Sequence, residues 1–464
     1  MILNKFIGNR AFYKKVLLLV LPIMLQNGIT NLVSMVDNIM VGTVGTEQMS
    51  AVAIVNQLLF VFNLAIFGIT SGIGIFTAQF YGKGDKNGII QTVRLKLVAS
   101  VIILIFALSL FKFAGSSLIN SYLHEGNEKM DLILAFNEAK KYLSIMLIGL
   151  VPFVIAQVYG GTLRELEKPI VPMASGIVAV FINLIFNYLL IFGKLGFPRM
   201  GVSGAAIATV ISRFVECFII VITCHLSKKS IGFTDKLYFP FKIKGGLVRK
   251  VLPKALPLLA NEFCWSLGVA LLNNCYALRG LDVVAATNIS STISNLFNVS
   301  VISFGTAISI IVGGLLGAKK RKEAIETNTK LTFFSFVLAV FLMIVLIFTS
   351  HLFPAIYNTK QTVKELASVF IKCYAVYLPF SALMNSFYFA IRSGGKTVIT
   401  FIFDSVYMLC VSVPFTFILA KFTDMHIVPI YALSLGIEIF KVIIGFFIIT
   451  NGSWAQNIVD DTKS

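Results

Sequence analysis

What most restricts the fold of this chain is a series of twelve long apolar runs, at roughly 15–41, 51–80, 95–118, 138–161, 170–193, 201–226, 250–278, 283–316, 331–353, 366–391, 397–420 and 427–450. A helix needs about 20 apolar residues to cross the hydrocarbon core of a bilayer. Inside lipid, only helices and closed barrels satisfy every backbone N–H and C=O. The runs therefore predict an all-α integral membrane protein with twelve transmembrane helices. Most gaps are too short to fold as separate domains. The longest gap carrying many basic residues, Ser227 to Arg249, lies between runs six and seven. The expected organisation is a six-helix lobe at 1–226, an inter-lobe loop at 227–249 and a second six-helix lobe at 250–464. The first run is too long for a signal-peptide core and lacks a small-residue cleavage site, so it is read as a span.

Charge follows the same plan. Only 13% of residues are charged, against about 25% in soluble chains. The net charge of +18 gives no support to nucleic-acid binding, because Lys and Arg sit in the short gaps between apolar runs. With the amino terminus inside, inner segments hold 26 Lys/Arg and outer loops hold 10, while Arg213, Lys372 and Lys441 lie within runs. The positive-inside rule then places both termini in the cytoplasm of a multi-pass cell-membrane protein. The six cysteines (Cys217, Cys224, Cys264, Cys275, Cys373 and Cys410) form neither a CxxC nor a zinc-type cluster and read as apolar fillers. His124, His225, His351 and His426 stand at run ends without an HExxH, and the GxG of Gly72 and Gly74 lies inside a span without a Rossmann turn. An enzyme is not expected, and small residues such as these are read as letting helices approach closely.

The chain also repeats itself. Shifted by 235 positions, residues 21–82 align without a gap to 256–317, with 12 identities in 62 positions. Leu21-Pro22 meets Leu256-Pro257, Gly45 meets Gly280, Phe62-Asn63 meets Phe297-Asn298, and Gly82 meets Gly317. Further on, Arg164 and Lys168 match Arg392 and Lys396. Six spans separate the copies, so both halves enter the membrane from the same side. That is a parallel pseudo-two-fold repeat, a plan found among secondary transporters, whose substrate cavity lies between the repeats.

Ionisable side chains inside a membrane are costly and mark function by default. Asp37, in VSMVDNIMVG, has no basic residue within a helical turn. Asn183 and Asn187 are four apart in run five and so share a face, and Thr209 lies in run six. At 1.5 Å per residue, Asp37, Asn187 and Thr209 fall about 12, about 9 and about 6 Å outside the midplane. A carboxylate, two amides and a hydroxyl at similar depth offer hard oxygen ligands for Na⁺, and the carboxylate alone is able to carry a proton instead. The competing reading is a buried polar network that only satisfies itself. Arg213 with Glu216, and Glu438 with Lys441, are each spaced three apart and are expected to form structural ion pairs, with Asp404 near the level of Lys441. Glu262, near the middle of run seven, has no evident partner. Gln26, Asn63, Glu262 and Asn298 are candidates for the substrate cavity.

The segments LPIMLQNGITNLVSMVDNIMVGTVGTEQMSAVAI and AQFYGKGD, the run-five Asn pair ending in IFG, and GVSGAAIATVIS together resemble the multidrug and toxic compound extrusion (MATE) transporters, particularly bacterial ones. The resemblance covers nearly the whole chain. It implies an antiporter exporting small organic compounds, cationic ones above all, in exchange for inward Na⁺ or H⁺; a monomer without cofactors is expected. It also implies a coupling site in the first half, where the family's motif positions fall on Asp37, Asn183, Asn187 and Thr209. Some relatives carry an aspartate at the position of Asn187. Many have an acidic residue where this chain has Ser381, so coupling is expected to run through Asp37. The alternative is a flippase for lipid-linked oligosaccharides or other lipids in the same superfamily, which would line its cavity with several basic residues.

Overall fold

The computed structural model describes residues 6–123, 131–227 and 232–460. In chain order, the first half folds as α1 (Arg10–Gly42), α2 (Thr46–Lys83), α3 (Lys86–Tyr122), α4 (Leu132–Ile148), α5 (Leu150–Glu165), α6 (Ile170–Phe192) and α7 (Gly201–Leu226). The second half folds as α8 (Gly245–Ala277), α9 (Leu281–Gly317), α10 (Arg321–Thr349), the short α11 (Leu352–Ile356) and α12 (Gln361–Ser393). Then follow α13 (Thr397–Phe401), two π-helical stretches (Ile402–Val406 and Met408–Ser412), α14 (Val413–Phe422), α15 (Ile427–Glu438) and α16 (Phe440–Asn451). Among the described residues, eleven helices are long and apolar enough to cross a membrane, and the bent pair α4–α5 makes a twelfth. The chain is a multi-pass, all-helical membrane protein, with six spans in each half.

The interruptions have local causes. α4 and α5 meet at 47°, at Gly149. Pro152, early in α5, has no N–H to give to the turn before it, and the glycine adds no side chain to resist the bend. The span from Thr397 to Phe422 widens into π turns just ahead of Pro414, where the same missing donor disturbs the ladder. By contrast, α1 and α8 run through Pro22 and Pro257, with Pro253 also inside α8.

Packing divides the chain into two compact units, and their limits differ from the sequence boundary at two short stretches. One unit comprises Leu25–Thr77 and Lys86–Val248. Its apolar core joins Val41, Val55, Phe62, Leu104, Tyr142, Leu150, Ile191 and Ala206, one or more from every helix of the first half. The inter-lobe segment belongs to this unit rather than standing apart. Arg94 donates to the carbonyls of Leu237 (2.8 Å) and Lys242 (2.7 Å), and Tyr159 meets Tyr238 hydroxyl to hydroxyl. The other unit comprises Met1–Met24, Ala78–Asp85 and Arg249–Ser464. One of its core clusters packs Val16, Val20 and Ile23 of α1 with Phe304, Ile308, Ile311, Phe389 and Trp454. The first division falls between Met24 and Leu25, in the helical turn after Pro22.

Candidate functional site

The strongest candidate lies in the first unit, where α1, α6 and α7 bring together the four residues singled out from the sequence. Asn183 and Asn187 are buried on one face of α6, at 6% and 1% exposure. Asn187 Nδ2 donates to Asp37 Oδ1 at 2.7 Å and to Asn183 Oδ1 at 3.1 Å. Asn183 Nδ2 reaches Thr209 Oγ1 at 3.3 Å, while the Thr209 hydroxyl donates back to the Ala205 carbonyl at 3.0 Å. With its amide turned over, Asn183 gives its NH₂ to both oxygens of Asp37, each at 3.0 Å. The two orientations of this amide exclude one another: one faces Thr209 and accepts from Asn187, the other faces the carboxylate.

Two features set this cluster apart from a network that merely satisfies itself. No ion pair to Asp37 occurs among the described residues, so its charge has no built-in counter-ion. Moreover, Asn187 Oδ1 is buried without a hydrogen-bond partner there. A buried acceptor costs free energy unless something is bound to it. The Asp37 carboxylate, the Asn187 and Asn183 oxygens and the Thr209 hydroxyl form a neutral-plus-one-anion oxygen set of the kind a small hard cation accepts. No cluster of three or more His, Cys, Asp and Glu residues suited to a metal exists among the described residues.

The remaining intramembrane charges take other roles. Arg213 does not form the ion pair expected with Glu216. Its guanidinium lies 5.0 Å over the Phe153 ring, and its Nη1 points at the Gly149 carbonyl at 3.5 Å. That carbonyl also accepts the Phe153 backbone N–H at 3.3 Å, so the arginine adds a second, longer contact to it. Glu216 instead lies in the field of Arg164 as well as of Arg213. The expected pair Glu438–Lys441 does form, at 2.7 Å, and Asp404 Oδ1 stands 3.7 Å from the same ammonium.

Of the substrate-cavity candidates, Gln26 and Asn63 belong to the first unit, and Glu262 and Asn298 to the second. Gln26 is engaged by Arg164 Nη1 at 3.1 Å. Asn63 keeps a buried carbonyl oxygen without a partner among the described residues. Glu262 is partly exposed, within the fields of Arg392 and Asp404. His124 lies outside the described residues.

The sequence reading passed over three sites. Lys96, counted with a basic loop, is fully buried against Glu165 and lies 3.3 Å from Thr162 Oγ1. Gly74 makes room for that carboxylate, since a Cβ there would collide with Glu165 Oε1. Asn261, fully inside α8, donates to Asp404 Oδ2 (3.1 Å) and Tyr388 (3.2 Å) and accepts from Ser405 (2.8 Å). Gln79 ties the carboxyl-terminal segment down through Ile458 and Gln456.

Comparison with known proteins agrees with this architecture. The MatE family model matches residues 22–189 and 257–418. The two matches begin 257 − 22 = 235 residues apart, the shift that the internal repeat gives. A probable multidrug resistance protein NorM from Thermotoga maritima is 24% identical over 457 residues, covering 96% of this chain and 94% of the relative. Its Bacillus cereus namesake is 25% identical over 419 residues, covering 89% of each. A crystal structure of MATE in complex with MaL6 superposes with a TM-score of 0.85 at 19% identity, covering 97% of this chain and 98% of the other. A Pyrococcus furiosus transporter, described as having a binding pocket of reverse polarity, gives 0.83 at 20% identity with the same coverage.

Proposed function

Because this chain belongs to the MatE family, we propose that it is a secondary antiporter, expelling small organic compounds, chiefly cationic ones, as Na⁺ or H⁺ enters through Asp37. Relatives named for multidrug resistance support the substrate class. The observation that carries the coupling is the Asp37 carboxylate, held by neutral amides with no cation against it, beside the partnerless Asn187 Oδ1. An ion binding there gains the one negative charge and the orphaned oxygen together. Alternating access requires that this affinity differ between the two states, because a ligand shifts an equilibrium only by its differential affinity.

We place the basic loops and both termini in the cytoplasm, with the protein acting as a monomer in the cell membrane. It acts as a transporter rather than an enzyme. The flippase reading is weaker, since it asks for free basic side chains within the membrane. Of the three basic residues within runs, Arg213 is held at Gly149 and Phe153 and Lys441 at Glu438 and Asp404, which leaves Lys372 rather than several. Reconstitution into proteoliposomes loaded with a fluorescent lipophilic cation, with Na⁺ and H⁺ gradients imposed separately, tests the reading. One gradient should drive efflux and the other should not. Efflux indifferent to both would refute antiport.

A further inference from the structure

The second unit also holds a carboxylate cluster in the membrane, and its surroundings are the reverse of those of Asp37. Lys441, on α16 and 4% exposed, has an ammonium surrounded by acidic and carbonyl oxygens. Glu438 Oε2 lies 2.7 Å away, the Asp404 carbonyl 3.2 Å and Asp404 Oδ1 3.7 Å. The ammonium also rests 5.1 Å over the Tyr407 ring, a face that favours a cation. Each carboxylate has a further donor on its remaining oxygen: Ser412 on Glu438 and Asn261 on Asp404. Where Asp37 has neutral neighbours and an orphaned acceptor beside it, these two carboxylates have a resident cation and no spare oxygen.

The repeat sharpens the contrast. Arg164 and Arg392 correspond across an offset of 392 − 164 = 228, and the same offset pairs Arg213 with Lys441 (441 − 213 = 228). Each half thus carries one cation in its last span. In the first half that cation turns to the Gly149 break and leaves Asp37 unpaired, whereas in the second it enters the carboxylates.

We propose that Lys441 is a tethered substitute for a coupling ion: its ammonium permanently fills the Glu438–Asp404 cluster, so the second half binds no exchangeable cation and each transport cycle carries a single ion, at Asp37. The inference rests on the Asp37 reading of function. A tethered ammonium competes at an effective concentration far above that of free Na⁺. Displacing it would strand a buried charge, which membrane and protein interiors both penalise. Removing the ammonium while keeping both carboxylates should therefore create a second ion site.

The test is the ion-to-substrate stoichiometry, read as the imposed gradient at which net flux of a lipophilic cation through the reconstituted full chain vanishes. The expected counts are one ion for the wild type, one for Glu438→Gln and two for Lys441→Met. The triple variant Lys441→Met/Glu438→Gln/Asp404→Asn should return to one, because no carboxylate then remains in the cluster. Two ions in the wild type, a count lowered by Glu438→Gln, or a folded Lys441→Met protein that stays at one would each overturn the proposal. The wild type and Glu438→Gln decide it even if Lys441→Met fails to fold. Asp37→Asn separates the two levels: a coupled ion that survives it sinks the Asp37 reading. If the ion is lost there but Lys441→Met stays at one, only the role of Lys441 is overturned.

Discussion

Asp37, Lys96 and Lys441 are all charges within helices, and what lies against each of them separates their roles. Lys96 is the most committed to structure: it is fully buried, donates to Thr162 and is paired with Glu165, whose carboxylate the Cβ-free Gly74 helps to accommodate. Replacing Lys96 by Met leaves Glu165 as a buried, unpaired carboxylate. This should cost about 3–5 kcal/mol, seen as a lower melting temperature in detergent. Gly74→Ala collides with the same carboxylate and should cost about 1–3 kcal/mol by overpacking, with the same readout. The Asp37 cluster was legible because its four polar residues stand out in apolar runs and share a depth along them. Lys96 was not, because a lysine near a run end reads as a loop cation until its neighbour across the bundle is known. Arg213 and Glu216 show the converse: a spacing of three permits a pair, but the guanidinium instead lies over the Phe153 ring and reaches the Gly149 carbonyl.

At the scale of elements, the apolar runs marked out the spans, and two glycines that the repeat pairs turn out to lie where helices touch. Gly82 and Gly317, aligned by the 235-residue shift, are neighbours in the second unit. A Cβ on Gly82 would collide with the Gly314 carbonyl oxygen, and one on Gly317 with that of Gln79. The ends of α2 and α9 thus cross backbone on backbone, each through its own copy of the same glycine. Because the obstructing atoms are backbone, no side-chain rotation relieves a substitution. Gly82→Ala and Gly317→Ala should each reduce folded yield and lower the melting temperature, by roughly 2 °C or more at about 1–3 kcal/mol. Size-exclusion chromatography and thermal denaturation check this. The bend at Gly149 and the π turns before Pro414 escaped the sequence reading, since an apolar run gives length and not straightness.

For the whole molecule, the least foreseen feature is the segment after the last span. Trp454 is completely buried, and its carbonyl lies where a Cβ on Gly394 would be. Arg321 holds the carbonyls of Gly452 (2.8 Å) and Ala455 (3.1 Å), while Asn457 donates to the Leu316 carbonyl at 2.9 Å. Gln79 accepts from Ile458 N (2.8 Å) and donates to the carbonyls of Gln456 (3.1 Å) and Ser393 (2.9 Å). One short polar stretch thereby joins the ends of α2, α9, α10 and α12. Its sequence, SWAQNIVD, has neither helical nor strand periodicity, so only the partners it meets reveal its role. Trp454→Ala should cost about 3–5 kcal/mol as a cavity in that joint, measured by thermal denaturation. The central claim, however, concerns one carboxylate, and Asp37→Asn addresses it directly through gradient-driven efflux of a lipophilic cation from proteoliposomes. The amide keeps the size of the side chain and one acceptor oxygen for Asn187 Nδ2, so the protein should still fold while efflux falls to the level of protein-free vesicles. Efflux at the wild-type rate from that variant would contradict the account.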